Sequence, residues 1–173
     1  AGTGFTSSSA TLITGADSKS ELVVTPSDGR ITFVPESSWY NKLYAGETKT
    51  LPIKYKVQDP AGLESSSTDL TLTVQGVNDA PEVTSSAVSF SGTEYGSVVT
   101  GDLSNYASDP DSNSQLTYSV AAGGSPENGN LTVKADGTFT YEPNLNFYGS
   151  DTFIFRVVDD KDVATTKTVS VNI

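Results

Sequence analysis

Asp109-Pro110-Asp111 sets two carboxylates two residues apart in a turn-forming stretch. Asp159 closes an alternating run, Phe153-Ile154-Phe155-Arg156-Val157-Val158, that reads as a strand. Carboxylates are hard oxygen ligands. Alternate residues of a loop can aim theirs at one ion, and an Asp at a strand end can reach the same pole. Calcium suits such a set, because it takes about six to eight oxygens at roughly 2.3–2.6 Å and accepts backbone carbonyls and water for the remainder. Two plainer readings stand beside this one. Asp is common in turns, where its side chain caps the backbone two residues on, and an acidic surface keeps a secreted protein soluble.

Other chemistries are excluded by residue type. The sequence has no His and no Cys, which removes Ser-His-Asp triads, imidazole acid–base catalysis, disulfides and ordinary zinc sites. Paired carboxylates can hydrolyse glycosides, but here most acidic residues sit at turn positions shared between two halves of the chain, as a repeat scaffold produces. An enzyme is therefore not expected. Asp and Glu number 21 against 10 Lys and Arg, a net charge of −11 that repels nucleic acid. No apolar run is long enough to span a bilayer and no signal peptide is visible, so membrane insertion is not expected. There is no Met and the first residue is Ala, as in a chain cut from something longer.

The elements that must position these residues are strands. Four blocks of the second half recur in the same order in the first, roughly a hundred residues earlier. Asp111-Ser112-Asn113-Ser114-Gln115-Leu116 matches Asp17-Ser18-Lys19-Ser20-Glu21-Leu22, and Asp136-Gly137-Thr138-Phe139-Thr140-Tyr141 matches Asp28-Gly29-Arg30-Ile31-Thr32-Phe33. Phe153–Asp159 matches Ile53–Asp59, and Val169–Ile173 matches Leu70–Val74. Large side chains alternate with polar ones in these blocks, so each strand has one buried and one wetted face. Leu131–Val133 and Phe139–Tyr141 flank Asp136-Gly137 as a hairpin should. Many short strands with turns between them predict an all-β chain of two tandem Greek-key β-sandwich domains.

The boundary falls at Val77-Asn78-Asp79-Ala80-Pro81. The expected division is 1–77 as the first sandwich, 78–81 as a linker stiffened by Pro81, and 82–173 as the second. The second domain is expected to have strands near Val83–Phe90 and Ser97–Leu103 ahead of Asp109. The first has only 16 residues before Asp17, so it is expected to be missing most of a first strand. Ser37–Tyr44 reads as a short helical turn capped by Ser. It presents Trp39, Tyr40 and Tyr44 either as a plug over the sandwich end or as a platform for a sugar or peptide ligand.

The run Asp136-Gly137-Thr138-Phe139-Thr140-Tyr141-Glu142-Pro143-Asn144 through Phe147-Tyr148-Gly149-Ser150-Asp151 resembles bacterial cadherin-like repeats. Leu43-Tyr44-Ala45-Gly46-Glu47-Thr48 and Gly76-Val77-Asn78-Asp79-Ala80-Pro81 resemble the related VCBS repeats. Both occur in long secreted proteins, including repeats-in-toxin adhesins. The resemblance implies an extracellular link in an extended bacterial surface chain, with calcium at the joints limiting bending. Its partners would be neighbouring repeats of the same chain and a cell-surface glycan or protein. It assigns a joint ion to Asn78, Asp79, Asp109, Asp111 and Asp159. A second ion, beyond Ile173, would take Glu94 and Asp151. A third, at the start of the chain, would take Asp17 and Asp59, and is expected to be weak because Gly15 stands where Asp109 stands in the second half.

Overall fold

The computed structural model describes residues 7–11, 21–25, 30–34, 42–58, 61–95 and 98–173. The chain divides into two compact units, Ala1–Val77 and Asn78–Ile173, so Asn78–Pro81 is part of the second unit. In the first unit, β1 (Ser7–Thr11), β4 (Thr48–Gln58) and β5 (Thr68–Gln75) form an antiparallel sheet in the order β1-β4-β5. β2 (Glu21–Thr25) and β3 (Arg30–Val34) form a hairpin in which Leu22 faces Phe33 and Val24 faces Ile31. Leu43 is buried, and Gly76 lies against the backbone of Leu43 and Tyr44.

The second unit is a two-layer sandwich. Its strands are β6 (Glu82–Val83), β7 (Val88–Ser91), β8 (Val99–Asp102), β9 (Ala107–Ser108), β10 (Thr117–Val120), β11 (Gly129–Val133), β12 (Thr138–Pro143), β13 (Ser150–Val158) and β14 (Ala164–Asn172). One layer has the order β10-β13-β14-β7 and the other β11-β12-β8, with β6 and β9 as a short separate pair. The chain changes layer between β10 and β11 and again between β12 and β13, the crossing pattern of Greek-key sandwiches. Among the described residues no helix is long and apolar enough to cross a membrane.

Alternation builds the core. Phe139 and Tyr141 of β12, Phe153, Phe155 and Val157 of β13, and Val169 and Val171 of β14 all point inward and are buried. The Phe90 and Phe139 rings meet edge to face with centroids 4.8 Å apart, and Phe139 and Phe153 lie 5.4 Å apart. Such contacts add about 0.5–1.5 kcal/mol to simple burial. The Asp136-Gly137 hairpin forms with Leu131 opposite Tyr141 and Val133 opposite Phe139, and Gly137 takes φ +95°.

Three expectations change. The strand foreseen at Val83–Phe90 is broken in two: β6 pairs with β9 apart from both layers, whereas β7 runs parallel to β14. One straight strand cannot make both pairings, so Thr84–Ala87 carries the chain from one to the other. A 3-10 turn at Leu103–Tyr106, capped by the Asp102 side chain at Ser104 N (2.9 Å), interrupts the strand after β8. The repeat alignment also shifts. Val57 faces Ser8 in the first unit and Val157 faces Tyr118 in the second, so β1 is the counterpart of β10. Glu21-Leu22 lies in β2, beside β3, whereas Gln115-Leu116 precedes β10, so these two strings, aligned in the sequence, fall on different strands. Among the described residues the first unit has no counterpart of β6 to β9.

Gly101 lies where a methyl group would collide with the Phe139 and Phe90 rings. Gly101→Ala should cost about 1–3 kcal/mol by overpacking, and Phe155→Ala about 3–5 kcal/mol by leaving a cavity. Urea unfolding measures both. A near-neutral Gly101→Ala would mean that the aromatic cluster is loosely packed.

Candidate metal centre

Three segments meet at one end of the second unit. Antiparallel pairing of Glu82 with Ser108 draws the entering strand beside the β9 end, so Asn78-Asp79 comes near Asp109-Pro110-Asp111. β13 delivers Asp159 to the same end. The carboxylates are held by backbone donors. Asp109 Oδ1 accepts from Asp111 N (2.9 Å), an Asx-turn, and its Oδ2 accepts from Ser114 Oγ (2.9 Å). Asp111 Oδ2 accepts from Asp79 N (2.9 Å). Asp159 Oδ1 accepts from the N–H groups of Lys161 and Val163 (both 2.8 Å), and its Oδ2 accepts from the Asn78 amide (2.7 Å). Pro81 is fully buried, and its carbonyl accepts from Thr165 Oγ1 (2.6 Å).

These bonds strap Asn78–Pro81 onto the second unit. On the other side, Gly76 N donates to Glu47 O (2.8 Å) within the first unit. Val77 alone lies between the two straps, and it is 73% exposed.

Asp111 is the anomaly. It is only 4% exposed, and its Oδ1 has no hydrogen-bond partner. A buried anionic oxygen without a donor is expensive. Burial raises the Asp111 pKa. The Asp79 N–H opposes that rise, but the charges of Asp109, Asp79 and Asp159 reinforce it. Those three carboxylates are thus close enough to act on it. Among the described residues no group of three or more acidic side chains is drawn together tightly enough to enclose a cation; here they turn to N–H donors. The donor set is nevertheless all hard oxygen, and Asp111 Oδ1 is a lone pair still to be satisfied. That combination fits calcium and no thiolate- or imidazole-seeking metal.

Asp159 behaves oppositely. Burial pushes its pKa up, but bonds from Asn78, Val163 and Lys161 outweigh this and hold it below the ordinary value. Asp151 is likewise depressed: burial opposes, and N–H groups of Asn128 and Thr152, the Tyr141 hydroxyl and the Glu127 N–H prevail. Its Oδ1 accepts from Thr152 N (2.8 Å) and Glu127 N (3.3 Å), and its Oδ2 from Asn128 N (2.8 Å) and Tyr141 Oη (2.9 Å). All four lone-pair directions are engaged, so Asp151, foreseen with Glu94 at a second ion, here ties β12 and β13 to the segment entering β11. Glu94 itself is exposed in a turn.

Trp39, Tyr40, Asp17 and Asp59 lie outside the described residues. Tyr44 is half-buried, and its N–H donates to Glu47 Oε2 (3.1 Å). The Asp-x-Asp spacing signalled the centre. Ser114, which completes the Asp109 turn, was missed; the signal was the Asp-x-Asp-x-x-Ser string. Tyr141 was read as core, and its hydroxyl's part in holding Asp151 has no local signature.

Stability should follow these shifts. The depressed pKa values of Asp151 and Asp159 give stability that is present above the ordinary Asp value of about 3.8 and lost as pH falls through their folded values. The raised value of Asp111 acts the other way: its contribution is present below about 3.8 and lost as pH rises through the folded value. In metal-free buffer Asp111→Asn should therefore stabilise the unit near neutral pH by about 1 kcal/mol. Tyr141→Phe should cost about 1–3 kcal/mol and make acid unfolding set in at higher pH. Thermal unfolding from acid to neutral pH tests both; a destabilised Asp111→Asn would refute the repulsion argument.

The sequence profile of the bacterial cadherin-like domain matches residues 78–173. No curated protein matches the sequence. Among solved structures, mouse cadherin-23 EC22-24 superimposes with a TM-score of 0.51 at 18% identity, covering 91% of this chain and 50% of that one. The protocadherin gammaB4 extracellular domain gives a TM-score of 0.51 at 18% identity, over 95% of this chain and 27% of that one. At such identities the likeness is one of fold, and the chain spans half the length of the cadherin-23 fragment. With the whole of its second unit matched, the chain belongs to the bacterial cadherin-like domain family.

Proposed function

We propose that the chain is a calcium-dependent structural segment of an extracellular bacterial adhesin, in which the ion fixes the entry of the second unit. The observation that carries this reading is the buried, unsatisfied Asp111 Oδ1 set among Asp79, Asp109 and Asp159. Asp79, Asp109, Asp111 and Asp159 would hold the ion, with Asn78 able to add its carbonyl oxygen. A bound divalent cation neutralises the clustered negative charge. The residues' own task is to carry the Asn78–Pro81 strap against the loops after β9 and β13, so that the freedom left to the chain entering the unit is confined near Val77.

Extracellular calcium modules bind at about 10⁻⁴–10⁻³ M, which suits external fluids. Family membership and the cadherin-like fold support an adhesive, non-catalytic role. The VCBS-like motifs of the first unit support placement in a long secreted chain of the repeats-in-toxin kind. Neighbouring repeats of the same chain are its immediate partners, and a cell-surface glycan or protein is the ultimate one.

Calcium titration of the full chain tests the reading. At about 10–100 times the dissociation constant the ion should add about 1.4–2.7 kcal/mol to the second unit, read as a rise in its melting temperature. Asp111→Asn and Asp109→Ala should abolish the rise. Small-angle scattering should show a narrower distribution of particle lengths with calcium than with chelator. Unchanged melting and scattering at 10 mM calcium, a concentration of about ten or more dissociation constants, would sink the proposal.

A further inference from the structure

The opposite end of the second unit carries a different surface. Nine residues of β13 separate Asp159 from the loop after β12, a span of about 30 Å. There, Tyr95, Val98, Glu142, Asn144, Leu145 and Asn146 line a cavity of about 310 Å³. Leu145 is 84% exposed and Tyr95 77% exposed. Large apolar side chains grouped at a cavity mouth and rimmed by polar groups mark a binding surface more often than a chance exposure.

The surface is also held in shape. Tyr95 and Asn146 both adopt left-handed backbone angles, φ 57° and 62°, which are uncommon for residues with a side chain. The Tyr95 hydroxyl donates to Asn146 Oδ1 (2.8 Å), joining the two loops. Asn144 N donates to Asn128 O (2.8 Å) and Phe147 N to Asn144 O (3.0 Å), anchoring the loop to β11. An exposed ring fixed by its own hydroxyl presents a flat apolar face with little left to order on binding.

We propose that this cavity binds a neutral sugar ring. A pyranose has one face of C–H groups, which stacks on a tyrosine ring, and a rim of hydroxyls, each both donor and acceptor. Asn144 and Asn146 offer donors and acceptors in plane, and Glu142 offers a strong acceptor. The volume lies at the lower end of small-molecule sites, enough for one or two rings. Charge selects among sugars. No Lys or Arg is among the described lining residues, Glu142 stands at the rim, and the chain carries −11. Sulfated and uronate glycans are therefore repelled, and neutral hexoses are not. This site is independent of the calcium centre.

Saturation-transfer NMR on the full chain tests it, with the methyl glycosides of glucose, mannose and galactose as neutral probes and oligogalacturonate as the charged one. At least one neutral glycoside should bind with a dissociation constant of about 1 mM, and Tyr95→Ala should weaken it by about tenfold or more. Glu142→Gln, which keeps the shape, should also weaken it, and this variant decides the matter if Tyr95→Ala does not fold. Asp111→Asn should bind as the parent does. The proposal is overturned by the absence of transfer to any neutral glycoside at concentrations on the order of 10 mM, by transfer that survives both cavity substitutions, or by tighter binding of oligogalacturonate. It is equally overturned if light scattering shows a dimer that Tyr95→Ala dissolves while sugars have no effect.

Discussion

Mutual repulsion among Asp79, Asp109, Asp111 and Asp159 is the constraint around which the entry end of the second unit is built. Like charges cost free energy wherever water is excluded, and Asp111 is almost wholly excluded from it. The structure answers with backbone donors. The N–H groups of Asp79, Asp111, Lys161 and Val163 each point at a carboxylate oxygen. Every donor but one finds its acceptor within a tight turn; the Asp79 N–H reaches across to Asp111 and so converts local charge balance into attachment of the entering chain. The balance is incomplete at Asp111 Oδ1. Of the cluster's two buried carboxylates, Asp159 is fully hydrogen-bonded and Asp111 keeps one oxygen without a donor.

The sandwich is what makes the cluster possible. β13 and β14 pair over nine residues, from Ser150 opposite Asn172 to Val158 opposite Ala164. Inward-facing Phe153, Phe155 and Val157 fix the register, because a slip by one residue would turn every one of them to solvent. That register sets Asp159 just past the last core side chain, buried by its neighbours and with its carboxylate against the turn that follows. Asp151, the second residue of the same strand, carries a carboxylate that is also buried but fully satisfied. Two Asp residues eight positions apart, one near the start of β13 and one just past its end, therefore differ in how many donors surround each.

The alternation of β12 and β13 and the Asp-Gly turn between β11 and β12 were plain in the sequence, since period-two burial and a positive φ at Gly leave local marks. The carboxylates at the entry end were legible for the same reason: Asp-x-Asp and a strand-end Asp are local patterns. What could not be read depended on partners far along the chain. The break of the Val83–Phe90 segment follows from which layer each half joins, and β7 chooses a parallel partner in β14, more than seventy residues away. The alignment of Leu22 with Leu116 rested on a short string, whereas the hydrogen-bond ladder compares whole strands and puts β1 opposite β4 as β10 lies opposite β13. The hydrogen bonds of Asp151 have no local mark either, because nothing adjacent in sequence reveals the Glu127 and Asn128 N–H groups, more than twenty residues before it, that bond to it.

The two ends of the second unit differ in how they use exposure. At the entry end, charge is buried and the apolar residue, Pro81, is sealed beneath it; affinity there has to come from a small, hard, doubly charged ion, because only such an ion offsets the desolvation of several carboxylates at once. At the far end, Tyr95 and Leu145 stand out in water and the polar side chains are neutral amides with a single Glu. A ligand with an apolar face would find a rigid ring there to lie against. The long β13–β14 ladder keeps the ends about 30 Å apart, more than two Debye lengths at physiological salt. Charge gathered at one end is therefore screened from the other, and the acidic cluster leaves the far surface little affected.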